Sequence, residues 1–103
     1  MTAARFQATP GLVEVCRRWR IARLEIFGSA LRADFGPASD IDLLVTFERD
    51  ARLSWEQEDQ LRQELERVLG RRVDLLPRSV IERSRNPFRR RSILGGAATL
   101  YAA

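Results

Sequence analysis

Residues 28–47 read GSALRADFGPASDIDLLVTF, and the second half of this stretch indicates the fold. In the segment from Asp40 to Phe47, polar and apolar residues first alternate and an apolar run follows, as in a β-strand with one buried face. Such a strand places Asp40 and Asp42 on the same face, about 6.5–7 Å apart along the backbone. Two carboxylates held side by side repel each other, and a bound proton or divalent cation relieves the repulsion.

The pair Gly28-Ser29 follows another apolar run, residues 21–27, which predicts a second strand. Glycine has no Cβ, so a phosphate can approach the backbone there, and the following amides and the Ser29 hydroxyl can donate to it. Ser29 could instead cap a short helix, and the two roles are compatible. An Asp-x-Asp motif is common by chance, but its combination with Gly-Ser at this distance is not. The combination therefore predicts a phosphate cradle beside a metal site.

A third carboxylate, Asp74, lies in a predicted strand over residues 72–76. It can converge with Asp40 and Asp42, or it can be an edge-strand charge paired with Arg71 or Arg72. Carboxylate oxygens without nitrogen or sulfur ligands favour Mg²⁺ or Mn²⁺. Two such ions can bridge an attacking oxygen and a nucleotide phosphate, which is the arrangement that phosphoryl chemistry uses.

Helices and further strands surround these segments. The pattern predicts a helix opened by Thr9 and Pro10, a strand over 21–27, a strand over 40–47, a helix over 54–69 ended by Gly70, a strand over 72–76 ended by Pro77, a short helix over 79–83, a helix from 87 to about 94 broken by Gly95-Gly96, and a strand over 99–102. The prediction is an α/β (α+β) fold, with a small mixed β-sheet and flanking helices. The 103 residues predict a single domain, 1–103.

The composition excludes several kinds of chemistry. The chain has no histidine, and its 18 basic residues are all arginine. Ser-His-Asp and Cys-His catalysis, lysine chemistry and zinc sites built on histidine and cysteine are therefore excluded. Cys16 is the single cysteine and cannot form an internal disulfide. With no signal-peptide pattern and no apolar run near 18 residues, we expect a cytoplasmic protein without a membrane partner.

The net charge of +4 is concentrated in one segment. The segment contains six arginines and one acidic residue, Glu82; the arginines are Arg78, Arg83, Arg85, Arg89, Arg90 and Arg91. They could form a solvated face, contact a nucleotide phosphate or dock onto an acidic partner. Nucleic acid is a less favoured partner, because Phe88 is the single aromatic residue among them. Trp55 opens the helix over 54–69 and could mark an interface if exposed.

Gly28-Ser29, ten intervening residues and Asp40-Ile41-Asp42 resemble the signature of the polymerase-β-type nucleotidyltransferase superfamily. The whole of 28–47 resembles its minimal nucleotidyltransferase (MNT) branch. The residues around Asp74 stand where that family carries its third carboxylate, and residues 86–94 resemble the ending of the branch. The resemblance covers about residues 22–103. One departure is Ala33, where many members have glycine.

The resemblance implies a nucleotidyltransferase fold and a metal-dependent protein adenylyltransferase. Such an antitoxin moves AMP from ATP to a hydroxyl, typically of tyrosine, on a partner HEPN-domain ribonuclease toxin and silences it. It implies that Asp40, Asp42 and Asp74 hold two Mg²⁺ ions, with Mn²⁺ as an alternative, and that Asp74 also acts as base. The nucleotide would lie on Gly28 and Ser29, with Arg32 either contacting the triphosphate or forming a plain surface charge.

Three other functions stay open on the sequence alone. The chain could be a catalytically idle antitoxin that acts by contact, although a protein without activity has no need for three repelling carboxylates. It could be a small-molecule nucleotidyltransferase, although those enzymes usually add a domain for the acceptor. It could also bind nucleic acid through its arginines.

Overall fold

Four helices and four strands form the part of the chain that the computed structural model describes, residues 9–28, 40–49 and 51–103. The elements are α1 (Pro10–Arg18), β1 (Ile21–Phe27), β2 (Ile41–Phe47), α2 (Trp55–Leu69), β3 (Val73–Pro77), α3 (Arg78–Glu82), α4 (Pro87–Gly96) and β4 (Ala98–Ala102). The strands form one sheet in the order β3-β2-β1-β4. β1 is antiparallel to β2 and β4, whereas β2 and β3 are parallel. The predicted mixed sheet with flanking helices is confirmed.

The larger core lies between one face of the sheet and the helices α1 and α2. It contains the odd-numbered apolar residues of β2 together with the apolar stripes of both helices; the fully buried members include Leu12, Cys16, Ile41, Leu43, Leu61 and Leu65. The predicted stripes therefore do face the core. Burial of each large aliphatic side chain contributes roughly 1.5–3 kcal/mol, so this face provides most of the stability of the domain.

A smaller core covers the opposite face of the sheet under α3 and α4. Phe27, Leu44 and Ile81 form its buried centre, and Ile93 and Leu94 pack against it from α4. This is the face on which the even-numbered residues of β2 lie. The helices cover only part of it, and the polar residues at the start of β2 lie beyond Leu44 on the same face.

Local signals set most element boundaries. The Thr9 hydroxyl accepts a hydrogen bond from the Leu12 amide at 3.3 Å. Ser54 and Gln57 form a reciprocal capping box at the start of α2, and Gly70 ends that helix in the left-handed conformation.

Several predicted boundaries differ from the observed ones by one or two residues, and two of these differences involve glycine or proline. Gly95 and Gly96 continue α4 to its last turn, and the helix ends only where Ala97 becomes extended to enter β4. Glycines cost least where a helix ends in solvent, so they did not break it earlier. Pro77 belongs to β3 and pairs with Val45 instead of following the strand. β3 is an edge strand, where a residue without an amide proton is tolerated.

Candidate active site

Asp40 and Asp42 lie at the start of β2, as the alternation predicts. Asp40 is exposed just before the strand, and Asp42 is half-buried as its second residue. The Ile41 amide between them donates to the carbonyl oxygen of Arg72 at 2.8 Å, which fastens this end of β2 to β3. Because Ile41 faces the larger core, its two neighbours face the other side of the sheet.

Asp74 lies directly beside Asp42. The two residues are register partners in the parallel pair of β2 and β3. Neighbouring strands are about 4.7–4.9 Å apart, so both carboxylates leave the same face of the sheet from adjacent positions. Ile41 and Val73, register partners one residue earlier, face the larger core. If β3 were shifted by one residue against β2, Asp74 would be buried and Val73 exposed. The apolar pattern therefore fixes the register that pairs the two carboxylates.

Gly28 packs against the Asp42 carboxylate from the end of β1. Its φ is +72°, a conformation that favours glycine. A Cβ built at position 28 would overlap Oδ2 of Asp42 and lie 3.3 Å from its Cγ. Phe27, the residue before it, is the register partner of Asp42. The absence of a side chain at position 28 therefore leaves room for the Asp42 carboxylate, which lies where a Cβ would be.

The remaining predicted site residues have different outcomes. Ser29 and Arg32 lie outside the described residues, so their roles stay predictions. Asp40 and Asp42 both take part in further polar interactions. Within 9–28, 40–49 and 51–103, the structure places no group of three or more histidine, cysteine, aspartate or glutamate side chains where they could jointly hold a metal ion. The described geometry therefore brings together the adjacent pair Asp42 and Asp74.

The chemistry of this pair fits a hard divalent cation. Its donors are carboxylate oxygens, which Mg²⁺ and Mn²⁺ prefer, and the chain contains no histidine. Asp74 is exposed, so a ligand in solvent can reach it. The backbone of Gly28 lies directly against the Asp42 carboxylate, so a phosphate held by the backbone that follows Gly28 would adjoin this pair.

The first arginine of the segment 78–91, Arg78, forms a structural contact. Arg78 turns inward and forms an ion pair with Glu25, whose side chain is 5% exposed, and a longer one with Glu82. The hydrogen bond to Glu25 raises the pKa of Arg78, with a smaller contribution from Glu82. Glu25 is the one charged residue of the described chain that is buried. This pair is a buried structural contact on the same sheet face as the carboxylates, and the sequence interpretation did not identify it.

Two clefts lie at the opposite end of β2 from the carboxylates. One, of about 220 Å³, has an apolar floor formed by Val45, Phe47, Leu75 and Pro77 beside Trp55. Trp55 is 90% exposed, as an interface position would require. The other cleft, of about 400 Å³, includes Thr46, whose hydroxyl is buried without a hydrogen-bond partner among the described residues. None of the three aspartates lines either cleft.

The described residues include no helix with the length and apolarity that a membrane crossing requires.

Comparison with known proteins points to one family. A model of the nucleotidyltransferase domain matches residues 12–98. A protein of Methanocaldococcus jannaschii, provisionally named a protein adenylyltransferase, is 32% identical over 76 residues, which are 74% of this chain and 73% of that protein.

Two solved structures share the fold. One is provisionally described as a minimal nucleotidyltransferase; it has a TM-score of 0.62 and 31% identity, over 84% of this chain and 82% of its own. The other belongs to a toxin–antitoxin crystal structure with AMP-PNP and has a TM-score of 0.66 over 90% of this chain and 72% of its own. At 21% identity, this second likeness concerns the fold alone.

Proposed function

Because the chain belongs to the nucleotidyltransferase domain family, we propose that it transfers AMP from ATP to a hydroxyl of a partner protein and thereby neutralises it. The partner would be a HEPN-domain ribonuclease toxin and the acceptor hydroxyl that of a tyrosine. In this proposal the 103 residues form a single minimal nucleotidyltransferase domain that acts as the antitoxin.

The observation that carries the proposal is the register of β2 and β3. It sets Asp42 and Asp74 side by side on one sheet face, while Gly28 keeps the space beside Asp42 free of a side chain. Adjacent carboxylates beside a backbone position without a side chain suit a nucleotide triphosphate and its counter-ion.

The reaction assigns a role to each residue. The acceptor oxygen bonds to the α-phosphorus of ATP, the bond from that phosphorus to the bridging oxygen breaks, and pyrophosphate leaves. Asp74 accepts the hydroxyl proton in this proposal. The backbone at Gly28, the Ser29 hydroxyl and Arg32 hold the phosphates.

Asp42 and Asp74, the pair that the register brings together, would hold the divalent cation, and Asp40, exposed just before β2, would add a third carboxylate once the cation and nucleotide are bound. When bound, Mg²⁺ or Mn²⁺ would offset the negative charge of the phosphates and of the leaving pyrophosphate. The carboxylates would also position the α-phosphorus for attack by the acceptor, since fixed orientation supplies a large part of catalysis in transfer reactions.

The relatives support two parts of the proposal, the protein acceptor and the adenine nucleotide. The M. jannaschii relative is named for adenylyl transfer to protein. The toxin–antitoxin structure that shares the fold was solved with an ATP analogue. A protein acceptor and an adenine nucleotide are therefore the first substrates to test.

Labelled ATP tests the proposal. The chain, the protein encoded by the neighbouring reading frame and Mg²⁺ are incubated with ATP labelled at the α- or the γ-phosphate. We expect the α-label, and not the γ-label, on the partner. Transfer of the γ-label would indicate a kinase. A stable complex without either label would instead indicate an antitoxin that acts by contact, and would overturn the proposal.

A further inference from the structure

Five arginines after α3 form an exposed surface, called here the arginine surface. Its members are Arg83, Arg85, Arg89, Arg90 and Arg91. All five are exposed, and within the described ranges none of them has an acidic partner within 4.0 Å, in contrast to Arg78. Like charges this close repel one another, so the surface is suited to a ligand that supplies negative charge.

An aromatic side chain stands in the middle of this surface. Phe88 is 79% exposed, although burial of a phenylalanine is strongly favourable. At 100° per residue, Phe88 lies on the side of α4 opposite to Ile93 and Leu94, which pack on the sheet. Arg89 and Arg91 lie on either side of it, about 100° and 60° around the helix. Packing within the chain therefore gives no reason for an aromatic residue here.

The arginine surface lies over the same sheet face as the candidate active site. α4 packs on Phe27 and Leu44 through Ile93 and Leu94. Phe27 is the register partner of Asp42, and Leu44 follows Asp42 two residues along the same face of β2. A protein bound to the outer side of α4 would thus lie on the side of the sheet from which the Asp42 and Asp74 carboxylates project.

We propose that Phe88, flanked by Arg89 and Arg91, docks the acceptor protein by inserting into an apolar socket surrounded by acidic side chains. The inference rests on the proposed function for the identity of the bound protein, but not for the docking itself. An exposed aromatic residue flanked by arginines is the composition of a protein–protein hot spot, with Phe88 as the anchor.

The same features disfavour a nucleic acid as the occupant. Stacking of successive bases needs several aromatic side chains, and α3 and α4 present only Phe88. Two of the guanidinium groups are also turned back to their own backbone: Arg83 donates to the Ser79 carbonyl at 3.2 Å and Arg90 to the Ser84 carbonyl at 3.1 Å. The remaining arginines diverge around the helix and do not follow one phosphate chain.

Calorimetry with the protein encoded by the neighbouring reading frame tests the docking. The variants are Phe88→Ala and the double variant Arg89→Gln/Arg91→Gln. The control is Arg17→Gln/Arg67→Gln, which removes two exposed charges from α1 and α2 on the opposite side of the sheet. We expect about 30-fold weaker binding for Phe88→Ala and a loss that grows at low salt for the double variant. All four proteins should melt at similar temperatures, since the substituted side chains are exposed.

Each outcome decides the docking separately from catalysis. Binding that is unchanged in both variants, equally weakened in the control, or absent in the unsubstituted protein would overturn the docking. The Asp42→Asn variant should bind the partner normally. Normal binding that depends on Phe88, with no transfer by the unsubstituted protein, would leave the docking intact and refute the transfer. A single-stranded RNA 20-mer that binds tightly, and loses binding in the double variant, would assign the surface to nucleic acid instead.

Discussion

Replacement of Gly28 by alanine should damage the candidate active site more than the fold. The left-handed backbone at Gly28 costs roughly 1–2 kcal/mol for a residue with a side chain. The added Cβ would also overlap Oδ2 of Asp42. That oxygen is at the end of a rotatable side chain, so the overlap is relieved by turning the carboxylate away. The strain therefore becomes a displacement of Asp42, and a displacement of about 1 Å can reduce a transfer rate on the order of 10²-fold.

Gly70→Ala provides a matched control. Gly70 has φ of +71°, almost the same as Gly28, but nothing lies within 4 Å of a Cβ built there. Both variants should therefore lose a similar amount of stability from the backbone alone. A loss of 1 kcal/mol lowers the melting temperature of a domain this size by roughly 4–8 °C.

Circular dichroism melting and the rate of AMP transfer, measured where both variants are folded, separate the two effects. We expect similar melting temperatures and a transfer rate about 10²-fold lower in Gly28→Ala alone. Equal rates in the two variants would refute the reasoning, because the contact between position 28 and Asp42 would then have no bearing on activity.

Two further predictions concern stability. Arg78→Gln leaves the buried Glu25 charge without its main partner, and we expect a loss of about 3 kcal/mol in urea unfolding. Arg62→Gln also removes two ion pairs, but on a helix face that solvent reaches, and should cost much less; similar losses would contradict the structural role of Glu25. Burial raises the pKa of the Cys16 thiol from 9.0 to about 12. The unfolded chain then loses its thiol proton first as the pH rises, so stability falls between pH 9 and 12 by about 1.4 kcal/mol per unit. Between pH 8 and 10.5 the free energy of unfolding should therefore fall by about 2 kcal/mol less in Cys16→Val than in the unsubstituted protein. An identical fall in the two proteins would exclude the effect.

The sequence predicts the parts of the site that depend on local pattern. Asp42 lies on the sheet face opposite to the larger core, as the alternation in β2 predicts, and the mixed sheet and the helix stripes are as expected. The direct pairing of Asp42 with Asp74 is harder to predict from the sequence, because the register of two strands separated by a helix depends on how α2 packs. The same holds for the clash that alanine at position 28 would cause, which depends on the backbone angle of Gly28 and the position of Asp42.

The arginine segment shows where sequence reasoning stopped. Arg78 was grouped with five other arginines because of its position in the chain, but the structure directs it to Glu25, 53 residues earlier. A glutamate between Leu24, Ile26 and Phe27, the most apolar part of β1, is the signal that could have indicated a buried partner, since buried charges are rarely left unpaired. The packing of α3 on the sheet determines which arginine is that partner, and the spacing of the arginines along the chain does not predict it.

The mass of the partner protein tests the central claim most directly. The protein encoded by the neighbouring reading frame is incubated with ATP, Mg²⁺ and either the unsubstituted chain or Asp42→Asn, and its intact mass is measured. We predict a gain of one or more AMP units with the unsubstituted chain, and a rate at least about 10³-fold lower with Asp42→Asn, which should still fold and bind. An equal mass gain with both chains, or none from an unsubstituted chain that binds the partner, would contradict the account.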